Sequence, residues 1–157
     1  MKRFWESKSL AELSEEEWEA LCDGCGLCCL HKVEEECSGR IVYTRVTCRL
    51  LDPETGRCLS YRRRRELVPE CVRLAADRPE AFRWLPETCA YRRLHEGRPL
   101  PDWHPLLTGD PASVRGHGVD AIDDLVPEIL CGGRPECYPL EKDFTAPPSP
   151  PRPGRAG

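Results

Sequence analysis

Residues 22–31 read CDGCGLCCLH, placing four cysteines within eight positions and a histidine two residues after the last of them. Two overlapping C-x-x-C steps, Cys22 to Cys25 and Cys25 to Cys28, turn successive sulfurs toward one side of the chain. Gly24 and Gly26 permit the unusual dihedrals that such tight turns need. Thiolates gathered this way suit soft metals. Zinc takes about four ligands at roughly 2.3 Å from sulfur, and iron–sulfur proteins space their thiolates in the same consecutive manner. The neighbouring side chains of Cys28 and Cys29 are expected to point apart, which fits a polynuclear site or a second centre that includes Cys29.

Other uses of so many thiols fit less well. Eleven cysteines in 157 residues approach the density of secreted disulfide scaffolds. The count is odd, however, and MKRFWESKSLAELSEEEW lacks the apolar stretch of an export signal. The expected location is therefore the cytoplasm, where thiols stay reduced. Redox C-x-x-C pairs sit at the start of a helix, whereas here the helical signals precede Cys22. Ser9 with Glu12 and Ser14 with Glu17 form two capping-box patterns, and Trp18, Leu21 and Cys22 follow at helical spacing as a core-facing stripe.

No apolar run approaches the roughly 20 residues that span a bilayer. A net charge of −4, from 23 basic and 27 acidic residues, gives no general attraction to nucleic acid or to an anionic membrane. The basic run Arg62–Arg65 is closed by Glu66 and has no interleaved aromatics for base stacking, so it reads as a solvated face or as partner to Glu34–Glu36. The expected partner is a protein of undefined identity, not a membrane, and the composition argues against nucleic acid. There is no G-x-S-x-G, no H-E-x-x-H and no glycine-rich phosphate loop, so the sequence names no catalytic residue.

Along the rest of the chain, Ile41–Val46 has the β-branched pattern of a strand. Asp52-Pro53-Glu54-Thr55-Gly56 is a turn that folds Cys48 and Cys58 back toward each other. From Tyr61 to Gly97 prolines cut the chain into short helical pieces: Cys71–Ala76, Pro79–Leu85, and Cys89–Glu96 capped by Thr88 and closed by Gly97. Residues 98–118 read as a long ordered loop and Val119–Leu130 as a last short helix. The predicted fold is mainly α with a short β-hairpin, a small loop-rich domain organised around a cysteine-ligated metal centre. It covers residues 1–144, and residues 145–157 form a disordered proline-rich tail. His31 is close enough to ligate or to hydrogen-bond a thiolate, and His104 either serves the loop or faces the centre.

Three blocks of the sequence resemble a known family. CDGCGLCC matches the C-x-x-C-x-x-C-C signature of the zinc- or iron-chelating CxxCxxCC domain family. TCRLLDPETGRCLSYRRRRELVPEC resembles its second block, and WLPETCAYRRLHEGRPLPDWHPLLTGD resembles the third block of its YcgN-like branch. The resemblance implies Cys22, Cys25, Cys28, Cys29, Cys48, Cys58, Cys71 and Cys89 as metal ligands, holding an iron–sulfur cluster or Zn2+ in one site or two. Cys37, Cys131 and Cys137 fall outside the blocks and read as incidental thiols, with a Cys131–Cys137 pairing left open. The implied role is structural or electron-transferring metal binding. The alternatives are a closed zinc module for protein interaction, or an enzyme related to the flagellin lysine methylase of the broader family.

Overall fold

The computed structural model describes residues 3–71 and 74–140. The expected tail, and the centre of the helix expected over Cys71–Ala76, lie outside the described residues. The chain is not mainly helical. Its α-helices are α1 (Phe4–Ser7), α2 (Glu15–Ala20), α3 (Arg64–Leu67), α4 (Ala90–His95) and α5 (Pro105–Thr108), none longer than six residues. Between them run short 3-10 turns, including Leu27–Cys29 and Pro79–Trp84. Proline explains much of this: Pro79, Pro105, Pro111 and Pro135 each open a one- or two-turn piece, and proline at the first turn starts a helix as readily as an interior proline stops one. Both capping boxes form, Ser9 with Glu12 and Ser14 with Glu17.

A three-stranded mixed sheet replaces part of the expected helix. β1 (Leu30–Glu34) pairs antiparallel with β2 (Ile41–Thr47), and β3 (Val126–Pro127) lies parallel to the far end of β2. The segment expected as a last helix thus splits into 3-10 turns flanking β3, and the expected loop 98–118 contains α5 and a further 3-10 turn. The β1–β2 register slips between the pairs Leu30↔Thr47 and Lys32↔Tyr43. Thr44 fills this bulge. Its buried hydroxyl donates to His31 O at 2.8 Å and accepts from Val46 N at 3.3 Å, standing in for ladder partners that the bulge removes. The turn between Cys48 and Cys58 forms as read from the sequence, with Leu51 and Cys58 bridged antiparallel.

Two small apolar clusters hold these pieces. One gathers Leu21, Phe82, Leu85, Ala90, Tyr91 and Leu100 and is mostly helical. The other gathers Leu27, Leu30, Tyr43, Leu51, Val119 and Ile122 around the sheet. Tyrosine hydroxyls tie segments together: Tyr43 of the sheet cluster donates to Trp84 O, and Tyr91 donates to Trp18 O within the helical cluster, each at 2.7 Å. His104 is fully buried, and its Nδ1 accepts from Leu106 N at 3.1 Å while its Nε2 meets Leu21 O at 2.8 Å. An accepting Nδ1 carries no proton, so the neutral ring donates through Nε2 and pins the α5 loop to the end of α2.

His104→Ala would leave the Leu21 carbonyl buried without a donor and open a cavity beside it. The expected loss of stability is about 2–4 kcal/mol, checked by denaturant unfolding of the variant against the parent chain.

Candidate metal centre

Helix α2 delivers the first thiol. Cys22 N donates to Glu19 O at 3.3 Å as the helix ends, and Asp23 then turns the chain by accepting from Cys25 N at 3.0 Å. Gly26 sits at φ +75°, where a side chain is strained, and a Cβ there would also lie 2.9 Å from Gly56 O. The 3-10 turn Leu27–Cys29 follows, and Cys29 hands the chain to β1. The cysteine loop is clamped from outside by residues far along the chain. Val119 N donates to Cys25 O at 2.9 Å, and a Cβ on Gly118 would lie 2.8 Å from Cys25 Cα.

The downstream thiols arrive by separate routes. Cys48 N donates to Cys29 O at 2.8 Å, so the end of β2 lies against the cysteine loop. The Leu51–Cys58 bridge carries Cys58 back alongside. Cys71 follows α3, its N–H donating to Val68 O at 3.0 Å, and the Arg49 side chain holds that segment by donating to Leu67 O. Cys89 is the N-cap of α4 and packs on the helical cluster.

The thiols act on one another. Burial pushes Cys22 up to about 11, with the negative field of Cys28 adding to it. Burial likewise raises Cys25 and Cys89 well above the ordinary thiol range, again with Cys28 contributing. Cys28 moves the other way: the Cys29 thiol donates to its sulfur, and the Lys32 ammonium favours the thiolate against burial. That same hydrogen bond raises Cys29, followed by burial and the fields of Cys28, Cys48 and Cys58. Burial raises Cys48 and Cys71, and the Cys58 charge raises both further.

All eleven cysteines are free thiols, so the Cys131–Cys137 pairing is absent; Cys131 is buried while Cys37 and Cys137 are exposed. Among the described residues, no group of three or more His, Cys, Asp or Glu side chains is already set around a common point as a bound ion would hold them. The donor type nonetheless suits a soft metal, since thiolates dominate the candidate ligands and the two histidines are engaged elsewhere. His31 Nε2 faces Glu128 Oε2 at 3.7 Å, and both ring nitrogens of His104 are engaged elsewhere. Cys22 and Cys28 are exposed to solvent.

Several residues here were not singled out from the sequence. Lys32 donates from Nζ to Cys28 O at 2.6 Å and to Leu30 O at 3.0 Å, and lies 5.2 Å from the Tyr43 ring centroid. Its position on β1 just past the cysteines was the only available hint. Gly118 and Asp23 carried no signal beyond residue type. The Arg62–Arg65 run does not reach Glu34, which pairs with Arg83; Arg63 pairs with Glu66, and Arg64 stacks on Tyr61 at 3.9 Å.

Comparison with known proteins agrees with this cysteine pattern. The family model described as "Putative zinc- or iron-chelating domain" matches residues 21–90. A UPF0260 protein of Rhizorhabdus wittichii is 59% identical over 131 residues, covering 83% of this chain and 90% of the relative. The chain belongs to the UPF0260 family. UPF0260 proteins of Caulobacter vibrioides and Azotobacter vinelandii are 51% and 52% identical, over 82% and 80% of this chain and 79% and 84% of the relatives. No solved structure matches the chain. No helix of the described residues is long and apolar enough to cross a membrane.

The clamp on the UPF0260 cysteine loop predicts that Gly118→Ala forces Cys25 and its neighbours apart. The expected cost is about 1–3 kcal/mol of stability together with weaker metal uptake, read by denaturant unfolding and by competition with a chromophoric chelator. In reduced, metal-free protein at neutral pH, iodoacetamide should modify Cys28 before Cys25 or Cys89, because only a thiolate attacks. Lys32→Met should slow the Cys28 reaction; peptide mass spectrometry follows each site.

Proposed function

We propose that this protein binds metal through Cys22, Cys25, Cys28, Cys29, Cys48, Cys58, Cys71 and Cys89, as a zinc ion or an iron–sulfur centre that helps to hold the fold together. The observation that carries the reading is that later cysteine-bearing segments pack back toward the cysteine loop: Cys48 N donates to Cys29 O at 2.8 Å, Leu51 is bridged to Cys58, and Cys89 packs on the apolar cluster that holds Leu21. Eight thiols, six of them half-buried, have no partner of their own kind in disulfides. Removing their protons for a metal converts mutual repulsion into shared ligation, and binding then contributes directly to folding.

Bound zinc supplies a crosslink between loops, and an iron–sulfur cluster supplies a one-electron couple as well. The chain's own residues do the rest. Lys32 places positive charge beside Cys28, Asp23 and Val119 fix the Cys25 backbone, and the two apolar clusters limit water to the open side. The exposure of Cys22 and Cys28 supports an electron-transfer role where the metal is iron, since a partner could approach the centre on that side.

Anaerobic purification followed by assay of iron, zinc and acid-labile sulfide tests the reading. Brown protein with iron and sulfide in similar amounts is the result expected of a cluster, and colourless protein with stoichiometric zinc that of a structural ion. Folded protein with neither metal, and with all its thiols free, would overturn the proposal.

A further inference from the structure

Among the described residues, the large hydrophobic side chains left in solvent are Leu59, Tyr61, Leu67, Ile129 and Leu130. They fall on two short segments, and Arg49 draws the two together. Its guanidinium donates to Leu67 O and, at 3.2 Å, to Glu128 Oε1, while its backbone N–H donates to Glu128 Oε2 at 2.9 Å. We infer that the surface around Arg49 docks an acidic, aliphatic segment of a partner protein. Leu59, Leu67 and Ile129 receive its apolar side chains, and Arg62 and Arg65 receive its carboxylates. The inference goes beyond metal binding and does not depend on it.

The exposed side chains stand on backbone that is already anchored. Leu59 N donates to Leu50 O at 2.7 Å, which fixes the first leucine to the residue next to Arg49. Val68 is buried and its N–H donates to Arg64 O at 2.7 Å, so the end of α3 is held by Val68 while its neighbour Leu67 is left exposed. On the other segment Cys131 is buried, whereas Ile129 is 89% exposed. Single apolar side chains in water are ordinary, but several gathered on held backbone mark an interaction surface. Such a surface has little ordering cost left to meet when a partner arrives.

Charge selects the kind of partner. The chain carries −4 overall, yet residues 61–70 hold four arginines against two glutamates. Arg63 pairs with Glu66 at 3.2 Å, and Glu128 is taken by Arg49. Arg62 and Arg65 are exposed, and neither has an ion-pair partner among the described residues. A segment bearing both carboxylates and aliphatic side chains meets the free charges and covers the leucines together. A nucleic acid fits less well. Tyr61 already carries the Arg64 guanidinium 3.9 Å from its ring centroid, and aliphatic side chains give bases nothing to stack on. A membrane fits less well too, because α3 has only four residues and offers no continuous apolar stripe to lie in the interface.

The test pans a phage library of random linear peptides against the immobilised full chain, kept reduced, and then measures the enriched peptide, labelled with fluorescein, by anisotropy. Enriched peptides should be rich in Asp, Glu and aliphatic residues, and their binding should weaken as salt is added. Arg62→Glu with Arg65→Glu, and separately Leu59→Ser with Ile129→Ser, should each weaken binding by about tenfold or more. Arg40→Glu, beside the far end of β2, should leave it unchanged. Circular dichroism checks that each variant is folded, and the composition selected by the parent chain stands whether or not a variant folds. Enrichment of basic or uncharged peptides, no enrichment, or binding that the surface variants leave unaltered would overturn the proposal. Tighter binding of the parent chain to a labelled single-stranded RNA, or to vesicles of phosphatidylcholine and phosphatidylglycerol, would overturn it as well. So would self-association that the same substitutions abolish, which would give the surface to a second copy of this chain.

Discussion

The close approach of Gly118 and Val119 to the Cys25 backbone is the contact on which the rest of the molecule depends. It leaves no room for a side chain at position 118 and supplies the donor that the Cys25 carbonyl needs. A loop of cysteines and glycines has little apolar surface to pack and high conformational entropy to lose. Here it is held by backbone contacts with Gly56 on one side and Gly118 on the other. The thiols take their places because the peptide groups between them are engaged from outside.

The two apolar clusters explain why such restraint is needed. Each comprises six buried residues with partly buried neighbours around them. Small cores of this kind leave limited stability, and short domains commonly add a crosslink or a bound ion. Buried polar ties supplement packing here: the Tyr43 and Tyr91 hydroxyls, the Thr44 hydroxyl in the bulge, His104 against Leu21, and the Arg98–Glu87 ion pair at 2.5 Å with Glu87 buried. Each joins segments distant in sequence or satisfies a group that the irregular backbone would leave exposed to an apolar interior. A region rich in unpaired, half-buried thiols fits the same economy, since thiolate–metal bonds would add the crosslink that so small a core lacks.

Much of the local structure was legible in the residues. Both capping boxes, the strand at residues 41–46 and the turn between Cys48 and Cys58 follow from side-chain chemistry acting over a few positions. The overall class was not legible. Helical signals near Tyr61, Pro79 and Val119 resolve into single turns because no long apolar face accompanies them, and isolated turns do not extend without one. β1 was hidden because His31 and Lys32 lack strand character, and its pairing is decided by β2. The family motif named the cysteines, but the 3-10 turn Leu27–Cys29 that carries Cys28 and Cys29 is not specified by spacing alone. His104 reads first as a loop histidine satisfied by backbone, and both of its ring nitrogens are engaged in that way.

The clamp on the cysteine loop also sets an order of biogenesis. Cys25 leaves the ribosome early, whereas His104, which pins the preceding helix, and then Gly118 and Val119, which hold its backbone, emerge about 80 to 95 residues later in the chain's synthesis. The hairpin corner around Cys48 and Cys58 closes over a short stretch of chain and can form on the nascent polypeptide. The cysteine loop cannot be completed until almost the whole domain is made. During that interval its thiols stand without the backbone contacts that later hold the loop in place.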